Sequence, residues 1–554
     1  MPDSRCAEYD AVIVGAGFSG LYMLHRLKQQ GLRARVLERG DGVGGTWFWN
    51  RYPGARCDIE SMEYSYQFSE ALQQSWEWSE RYASQPEILS YINHVADRFG
   101  LREDIQLETT VTGAEFDSAS NHWCVHTQAG DTFSSRYCIM ATGCLSSANT
   151  PDFPGLASFQ GDCYHTGNWP QEGVDFSGKR VAVIGTGSSG IQSIPLIAEQ
   201  ARHLTVFQRT PNYSVPARNK PLDPDYVRAI KADYSGFRAH NWAQPFGANF
   251  QGNDALAAEA DADTLQQEYQ ARWQRGGLPF MAAFADLLFD RKANDTAAEF
   301  IRQKIREQVA DPETAQKLCP DSVVGCKRLC ADSNYFETYN RPDVTLVDVS
   351  EAPIEAITAD GLRTSQQQYA LDCIVFATGF DAMTGALMNI DITGTQGHSL
   401  AEKWNAGPRT YLGLATSGFP NLFMITGPGS PSVLTNMLPS IEQHVNWIAD
   451  CIEYMQQHDF TRINATETAQ EQWVQHVNDV AGETLYPSCN SWYLGANVPG
   501  KPRVFMPYLG FPPYVEKCEA VVANGYEGFE LSRDLSGLKP AGMNGSKSYR
   551  RGSD

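Results

Sequence analysis

The chain has no pair of cysteines spaced CxxC, no apolar run long enough to cross a bilayer and no excess of basic residues. Each absence removes a class of function. A bilayer span needs about 18 or more consecutive apolar residues, and no window here approaches that, so no membrane span is expected. Lys and Arg number 44 against 65 Asp and Glu, a formal charge of −21. An average surface of that sign repels a phosphate backbone, so nucleic acid is not an expected partner. The polar segment Met1 to Tyr9 runs directly into a strand and reads as no export signal. The 13 cysteines are scattered; the expectation is reduced thiols and a cytoplasmic protein. Cys138 and Cys373 fall in apolar strand-like runs, where cysteine serves as a small buried hydrophobe. One stretch, His122-Trp123-Cys124-Val125-His126, would place His122, Cys124 and His126 on one face of a strand, which could seed a soft-metal site. No fourth ligand is evident, so it reads as a half-exposed strand with its polar side to water, and no metal is expected.

What the sequence does contain is one glycine fingerprint used twice. The first is Gly15-Ala16-Gly17-Phe18-Ser19-Gly20 and the second Gly185-Thr186-Gly187-Ser188-Ser189-Gly190. Asp10 to Val14 is a short β-branched run that enters the first turn. Helical spacing follows from Ser19 to Gln29, and Ala34 to Leu37 is the returning strand. The second unit repeats this plan with Val181 to Ile184, Ile191 to Glu199 and Leu204 to Phe207. A single GxGxxG is weak evidence; two, each between a strand and a helix, are strong. The fold class is therefore α/β, with two Rossmann-like dinucleotide-binding domains and a helical insertion. A length of 554 residues suits two to four domains. The expected division is 1–145 with 385–540 for the first nucleotide, 146–222 with 320–384 for the second, a helical insertion over 223–319, and a disordered tail over 541–554. Ile441, Val445, Ile448, Ile452 and Met455 mark an amphipathic helix.

The two units differ at the residue ending their second strand. In the first it is Glu38, whose carboxylate accepts hydrogen bonds from a ribose diol and repels a 2′-phosphate. In the second it is Arg209, followed by Thr210, and a guanidinium matches a phosphate in charge and geometry. The first unit should hold a dinucleotide with a free ribose, FAD or NAD, and the second NADP. Either residue could instead be a plain surface charge. Their placement at the strand ends, and Ala141-Thr142-Gly143 and Ala377-Thr378-Gly379 after apolar strands, favour the functional reading.

Between the fingerprints stands Phe159-x-Gly161-x-x-x-His165-x-x-x-Trp169-Pro170, which resembles the motif of type I Baeyer–Villiger monooxygenases. Further stretches are similar to the same family: Gly44 to Asp58, Phe207-Gln208-Arg209-Thr210-Pro211, Gly427-Pro428-Gly429-Ser430-Pro431-Ser432, and Ser491 to Lys501. The resemblance covers nearly the whole chain. It implies tightly bound FAD, NADPH and O2 as co-substrates, and conversion of ketones to esters or lactones through a C4a-peroxyflavin and a tetrahedral adduct, with sulfoxidation as a side activity. By position it assigns FAD contacts to Gly15, Gly17, Gly20, Glu38, Thr46, Trp47, Asp58, Tyr64 and Val111. It assigns NADP contacts to Gly185, Gly187, Ser188, Ser189, Gly190, Gln192, Arg209, Thr210 and Lys327. Arg328 matches the family's catalytic arginine, Asp58 its acidic partner, and Trp492 a residue on a mobile loop over the nicotinamide end.

An oxygen nucleophile must stay anionic to attack a ketone, and a guanidinium that never becomes neutral can stabilise it and the resulting oxyanion. That is the role expected of Arg328, with Asp58 orienting it and moderating its desolvation. His165 is expected to coordinate the two nucleotide domains from a linker rather than to act as acid or base. The substrate wall is expected to include Cys144, Leu145, Ser432, Val433, Leu434 and Met437. Cys144 and the run Leu329 to Asn334 depart from the member of the family that the chain most resembles in these motifs, so the ketone's identity does not carry over. Oligomeric state, monomer or dimer, is open. The competing readings are a flavin-containing N- or S-monooxygenase and, outside enzymes, an NADPH-binding sensor. A pyridine nucleotide–disulfide reductase is disfavoured because Cys57 has no CxxxxC partner.

Overall fold

Strand Ala7–Val14 is buried throughout from Ala11 to Val14 and runs into Gly15, whose φ of +107° reverses the chain. That apolar run fits a parallel strand covered on both faces. It pairs in parallel with Ala34–Leu37 on one side and Thr132–Met140 on the other. The full sheet has eight strands, in the order Asp391–Thr393, Val111–Asp117, His122–Thr127, Thr132–Met140, Ala7–Val14, Ala34–Leu37, Ile105–Gln106. Thr132–Met140 is long enough to pair twice along its length. Its first half meets His122–Thr127, and Cys138 to Met140 take Leu422–Met424 as the eighth strand. The computed structural model describes residues 7–533; the expectation for the tail, 541–554, lies outside them.

The second unit repeats the plan. Strand Arg180–Ile184 ends at Gly185, with φ +110°, and helix Ser188–Gln200 follows. The sheet is wholly parallel and five-stranded, in the order Val344–Asp348, His203–Gln208, Arg180–Ile184, Cys373–Phe376, Asp162–His165. In both turns the third glycine is a steric requirement. A Cβ on Gly20 would lie 1.8 Å from the Gly15 carbonyl oxygen, and one on Gly190 2.3 Å from that of Gly185.

Residues 223–319 form helices, with Pro224–Ala232, Tyr234–Trp242, Ala262–Arg275, Arg291–Gln308 and Pro312–Leu318 the longer ones. Each of the five starts at an aspartate whose side chain accepts a hydrogen bond from the first turn: Asp223, Asp233, Asp261, Asp290 and Asp311. Such caps satisfy the donors that a helix leaves unpaired at its start. The periodic run near the C-terminus is helix Met437–Gln457, with Ile441, Val445, Ile448, Ile452 and Met455 all buried. It packs along helix Phe18–Gln29, where the Tyr22 hydroxyl donates to Asn446 at 2.8 Å.

Among the described residues no helix is long and apolar enough to cross a membrane. In strand His122–Thr127, Trp123 and Val125 face the core, while His122 and Cys124 are half-buried and His126 exposed. Cys138 and Cys373 are fully buried, as their apolar strands imply. The expectation that every thiol is reduced is corrected: Cys326 and Cys489 form a disulfide. The two lie 163 residues apart, and no local spacing motif marks a pair that only the tertiary fold brings together.

Candidate active site

The two fingerprint helices differ from the insertion helices at their first residue. Phe18–Gln29 begins after Gly17 and Ser188–Gln200 after Gly187, and neither glycine position supplies a side-chain cap. The leading N–H groups of both helices therefore stay available at the positive end of the helix dipole, where a pyrophosphate binds. A Cβ on Gly187 would meet nothing within 4 Å, so the approach to that helix is open.

A cavity of about 560 Å3 lies between the two units. Gly15, Gly17, Glu38, Thr46, Trp47, Asp58, Tyr64 and Val111 line it from the first unit; Ser188, Ser189 and Gln192 line it from the second. Glu38 is buried at the end of its strand, and its carboxylate accepts from the amides of Ala16 at 2.7 Å and Gly40 at 2.9 Å. That fixes it beside the glycine turn. Tyr64 accepts a hydrogen bond from the Trp47 indole at 3.1 Å. Gln192 joins the units directly: it accepts from the Tyr52 hydroxyl at 2.8 Å and donates to the Arg56 carbonyl at 3.1 Å.

Arg328 enters the same cavity. Its Nε donates to Asp58 Oδ2 at 2.6 Å, its Nη2 to Asp58 Oδ1 at 3.1 Å, and its Nη1 to the Val433 carbonyl at 2.7 Å. Burial works against its charge, but the charge and hydrogen bonds of Asp58 outweigh that and hold its pKa above the ordinary arginine value. Three of its five N–H groups are used in this way, leaving two.

At the second unit, Lys327 and Arg209 face each other's charge. Burial, and secondarily the Arg209 guanidinium, push the Lys327 pKa down. Neither cation has a carboxylate within ion-pair distance among the described residues. Thr210 accepts a hydrogen bond at its carbonyl from Thr186 at 3.2 Å and is exposed. Two cations that feel each other's charge just beyond an uncapped helix start could hold a dianion such as a ribose 2′-phosphate.

Cys144, Leu145, Val433 and Met437 line the main cavity. Leu434 instead lines a smaller one of about 40 Å3 on the other side of Arg328, shared with Val433, Lys327, Tyr486 and Tyr493. Ser432 lines neither; it is fully buried behind this wall, with its hydroxyl 3.9 Å from the Met383 sulfur.

A family model described as pyridine nucleotide-disulphide oxidoreductase matches residues 12–240. A Baeyer–Villiger monooxygenase of Pseudooceanicola batsensis is 43% identical over 96% of this chain and 98% of its own length. The chain belongs to the Baeyer–Villiger monooxygenase family. A solved structure of an oxidised steroid monooxygenase bound to NADP is 51% identical, with a TM-score of 0.91, over 95% of this chain and all of that one. A phenazine N-monooxygenase of Lysobacter antibioticus is 40% identical over 97% of this chain and 100% of its length.

In this Baeyer–Villiger monooxygenase His165 lies outside the cavity lining, at the end of strand Asp162–His165. Its Nδ1 accepts from the Gly167 amide at 2.9 Å, and its Nε2 lies 3.3 Å from the Thr378 hydroxyl. Because Nδ1 accepts from an amide, the ring's proton lies on Nε2, and burial lowers its pKa. Four residues on, the Trp169 amide donates to the Trp49 carbonyl of the first unit at 3.3 Å. The motif thus touches both units from outside the cavity lining.

Trp492 lines the cavity from a 3-10 turn, Trp492–Leu494. Beyond it, Lys501 forms an ion pair with Asp381, and Asn497 donates to the Phe380 carbonyl at 2.6 Å. Three features escape a reading of residue types. The Val433 contact is a backbone carbonyl, which any residue could supply. The disulfide joins distant segments. The third, His444, sits on the buried face of helix Met437–Gln457: its Nδ1 accepts from the Thr426 amide at 2.8 Å, and Thr426 lines the cavity with a φ of +57°.

Proposed function

We propose that the chain oxidises ketones to esters or lactones with NADPH and O2, holding FAD at Gly15, Gly17 and Glu38 and NADPH at Gly187, Arg209 and Lys327. When bound, FAD would take a hydride from NADPH and supply the activated oxygen. The protein's part is positioning, charge and exclusion of water. The uncapped helix starts receive the two pyrophosphates, Glu38 accepts from a ribose diol, and the Arg209 and Lys327 pair selects the phosphorylated ribose.

The observation that carries this reading is the guanidinium of Arg328, fixed by Asp58 and Val433 on the cavity wall with two N–H groups unspent. Attack on a ketone converts a carbonyl oxygen to an oxyanion, and rigid donors aimed at developing charge lower that barrier. Asp58 keeps the guanidinium charged and fixed, so it needs no reorganisation as the reaction proceeds. Trp492 closes one side of the cavity and limits water, which otherwise diverts the activated oxygen to hydrogen peroxide.

A ketone panel covering linear, cyclic, aromatic and steroidal skeletons tests this, scored by ketone-dependent NADPH oxidation and by ester mass. Absence of any ester from a yellow, NADPH-oxidising preparation would overturn it. The similarity to a phenazine N-monooxygenase supports a second reading, oxygen transfer to an aromatic nitrogen. N-oxide formation creates no oxyanion on a substrate carbon. An aromatic N-heterocycle added to the panel, assayed also with Arg328→Ala, separates the two, because only ester formation depends on that guanidinium.

A further inference from the structure

Cys326 stands two residues before Arg328, and Cys489 three residues before Trp492. Their disulfide joins the segment that carries the cavity's guanidinium to the segment that covers the cavity, with Cα atoms 5.6 Å apart. Both sulfurs are well buried, at 4% and 9% residue exposure. Around the bridge the segments pack closely: Tyr486 and Tyr493, on either side of Cys489, line the small cavity together with Lys327 and Arg328. The covering segment is anchored at its far end by the Lys501–Asp381 ion pair and the Asn497 contact to Phe380. At its near end the Leu485 amide donates to the Leu288 carbonyl at 2.9 Å. The disulfide is the covalent member of that near anchor, and it ties the cover directly to the segment that carries Arg328.

We propose that Cys326 and Cys489 are positioning residues: their disulfide sets Trp492 over the cavity in register with Arg328, so that opening it uncouples NADPH oxidation from oxygen transfer to ketone. The proposal rests on the role given to Arg328 above. Opening consumes two electrons and two protons from a dithiol, which leaves as its own cyclic disulfide while Cys326 and Cys489 become thiols. A cover that no longer keeps its distance from the guanidinium admits water and loses the alignment that oxygen transfer requires.

The test uses the FAD-loaded enzyme, the same enzyme treated with dithiothreitol, and the double variant C326S/C489S, with thiols counted by mass spectrometry in each. The readouts are hydrogen peroxide released per NADPH oxidised with ketone present, the split between kcat and the KM for NADPH, and the melting temperature. A disulfide also stabilises by restricting the unfolded chain, so a lower melting temperature is expected whether or not the bridge positions anything. The expected result is a shift of product from ester to peroxide, with kcat for ester down by about 10-fold, since misplacement by ~1 Å can cost ~100-fold. Unchanged coupling and KM in the variant, with only the melting temperature lowered, would overturn the proposal. So would 13 thiols in the untreated enzyme. If the variant does not fold, the dithiothreitol-treated enzyme decides; if the bridge resists dithiothreitol, the variant decides. A wild-type enzyme that makes no ester from any ketone refutes the functional reading instead, and is told apart by that control.

Discussion

Asp58 and Arg328, 270 residues apart in sequence, meet through two hydrogen bonds of 2.6 Å and 3.1 Å along one edge of the guanidinium. The Val433 carbonyl takes a third N–H from the other side. Arg328→Ala is expected to leave flavin reduction by NADPH nearly intact while ester formation falls by about 100- to 1,000-fold, or ~2.7–4 kcal/mol of barrier. Stopped-flow bleaching of the flavin gives the first quantity and product mass the second. Retained oxygenation would remove Arg328 from its assigned role.

This pair shows how far residue types alone reach. Two charges matched to family positions were legible as partners, and the glycine turns were legible because steric limits at Gly20 and Gly190 permit nothing larger. The strands entering those turns were legible from continuous apolar runs, since both faces are covered. What residue types did not reveal was carried by backbone atoms or by long-range packing. The Val433 carbonyl has no side-chain signature. Cys326 and Cys489 have no spacing motif. Ser432 belongs to a motif that does sit at the site, yet the turn it occupies buries its hydroxyl behind the cavity lining, where it contacts the Met383 sulfur and the Cys144 thiol.

Arg209 and Lys327 make a prediction about selectivity between cofactors. A charged hydrogen bond contributes about 1.5–3 kcal/mol. Arg209→Ala should therefore narrow the preference for NADPH over NADH by about that much, read from kcat/KM with each nucleotide. Lys327, whose charge burial and Arg209 both disfavour, should keep part of the preference in the variant. An unchanged ratio would show that Arg209 does not contact the 2′-phosphate.

His165 separates a linker role from an acid–base role. Its Nδ1 is engaged by the Gly167 amide and its Nε2 faces Thr378, whose hydroxyl donates to the Asn149 carbonyl at 2.5 Å. His165→Ala should slow turnover while FAD content and the flavin spectrum stay as in the wild type. His165→Asn, which can still accept from Gly167, should recover part of the rate. Turnover identical to wild type in the alanine variant would reduce His165 to a structural residue.

His444 sets part of the acid sensitivity of the fold. Because the Thr426 amide donates to its Nδ1, its single proton lies on Nε2, 2.8 Å from the Tyr514 hydroxyl, which in turn donates to the Leu412 carbonyl at 2.6 Å. A second proton would place two N–H groups face to face, and burial pushes the His444 pKa down to about 3. An unfolded histidine titrates near 6.5. Between those values the unfolded chain binds a proton that the folded one refuses, so this contribution is full above pH ~6.5 and is lost as pH falls, at about 1.4 kcal/mol per unit. Buried Glu442 and Glu63, raised by burial to about 7 and about 8, work in the opposite sense: their contributions are present at low pH and are lost as pH rises through those values. Total stability therefore mixes limbs of both signs, and a single curve would not isolate His444. The comparison with His444→Gln does, because the amide can accept from Thr426 and donate to Tyr514 but does not titrate. The stability advantage of wild type over the variant, from urea unfolding, should shrink by about 2 kcal/mol between pH 6.5 and pH 5. A gap that stays constant across that range would mean that His444 is protonated in the folded protein, and the hydrogen bond from Thr426 would have to be reassigned.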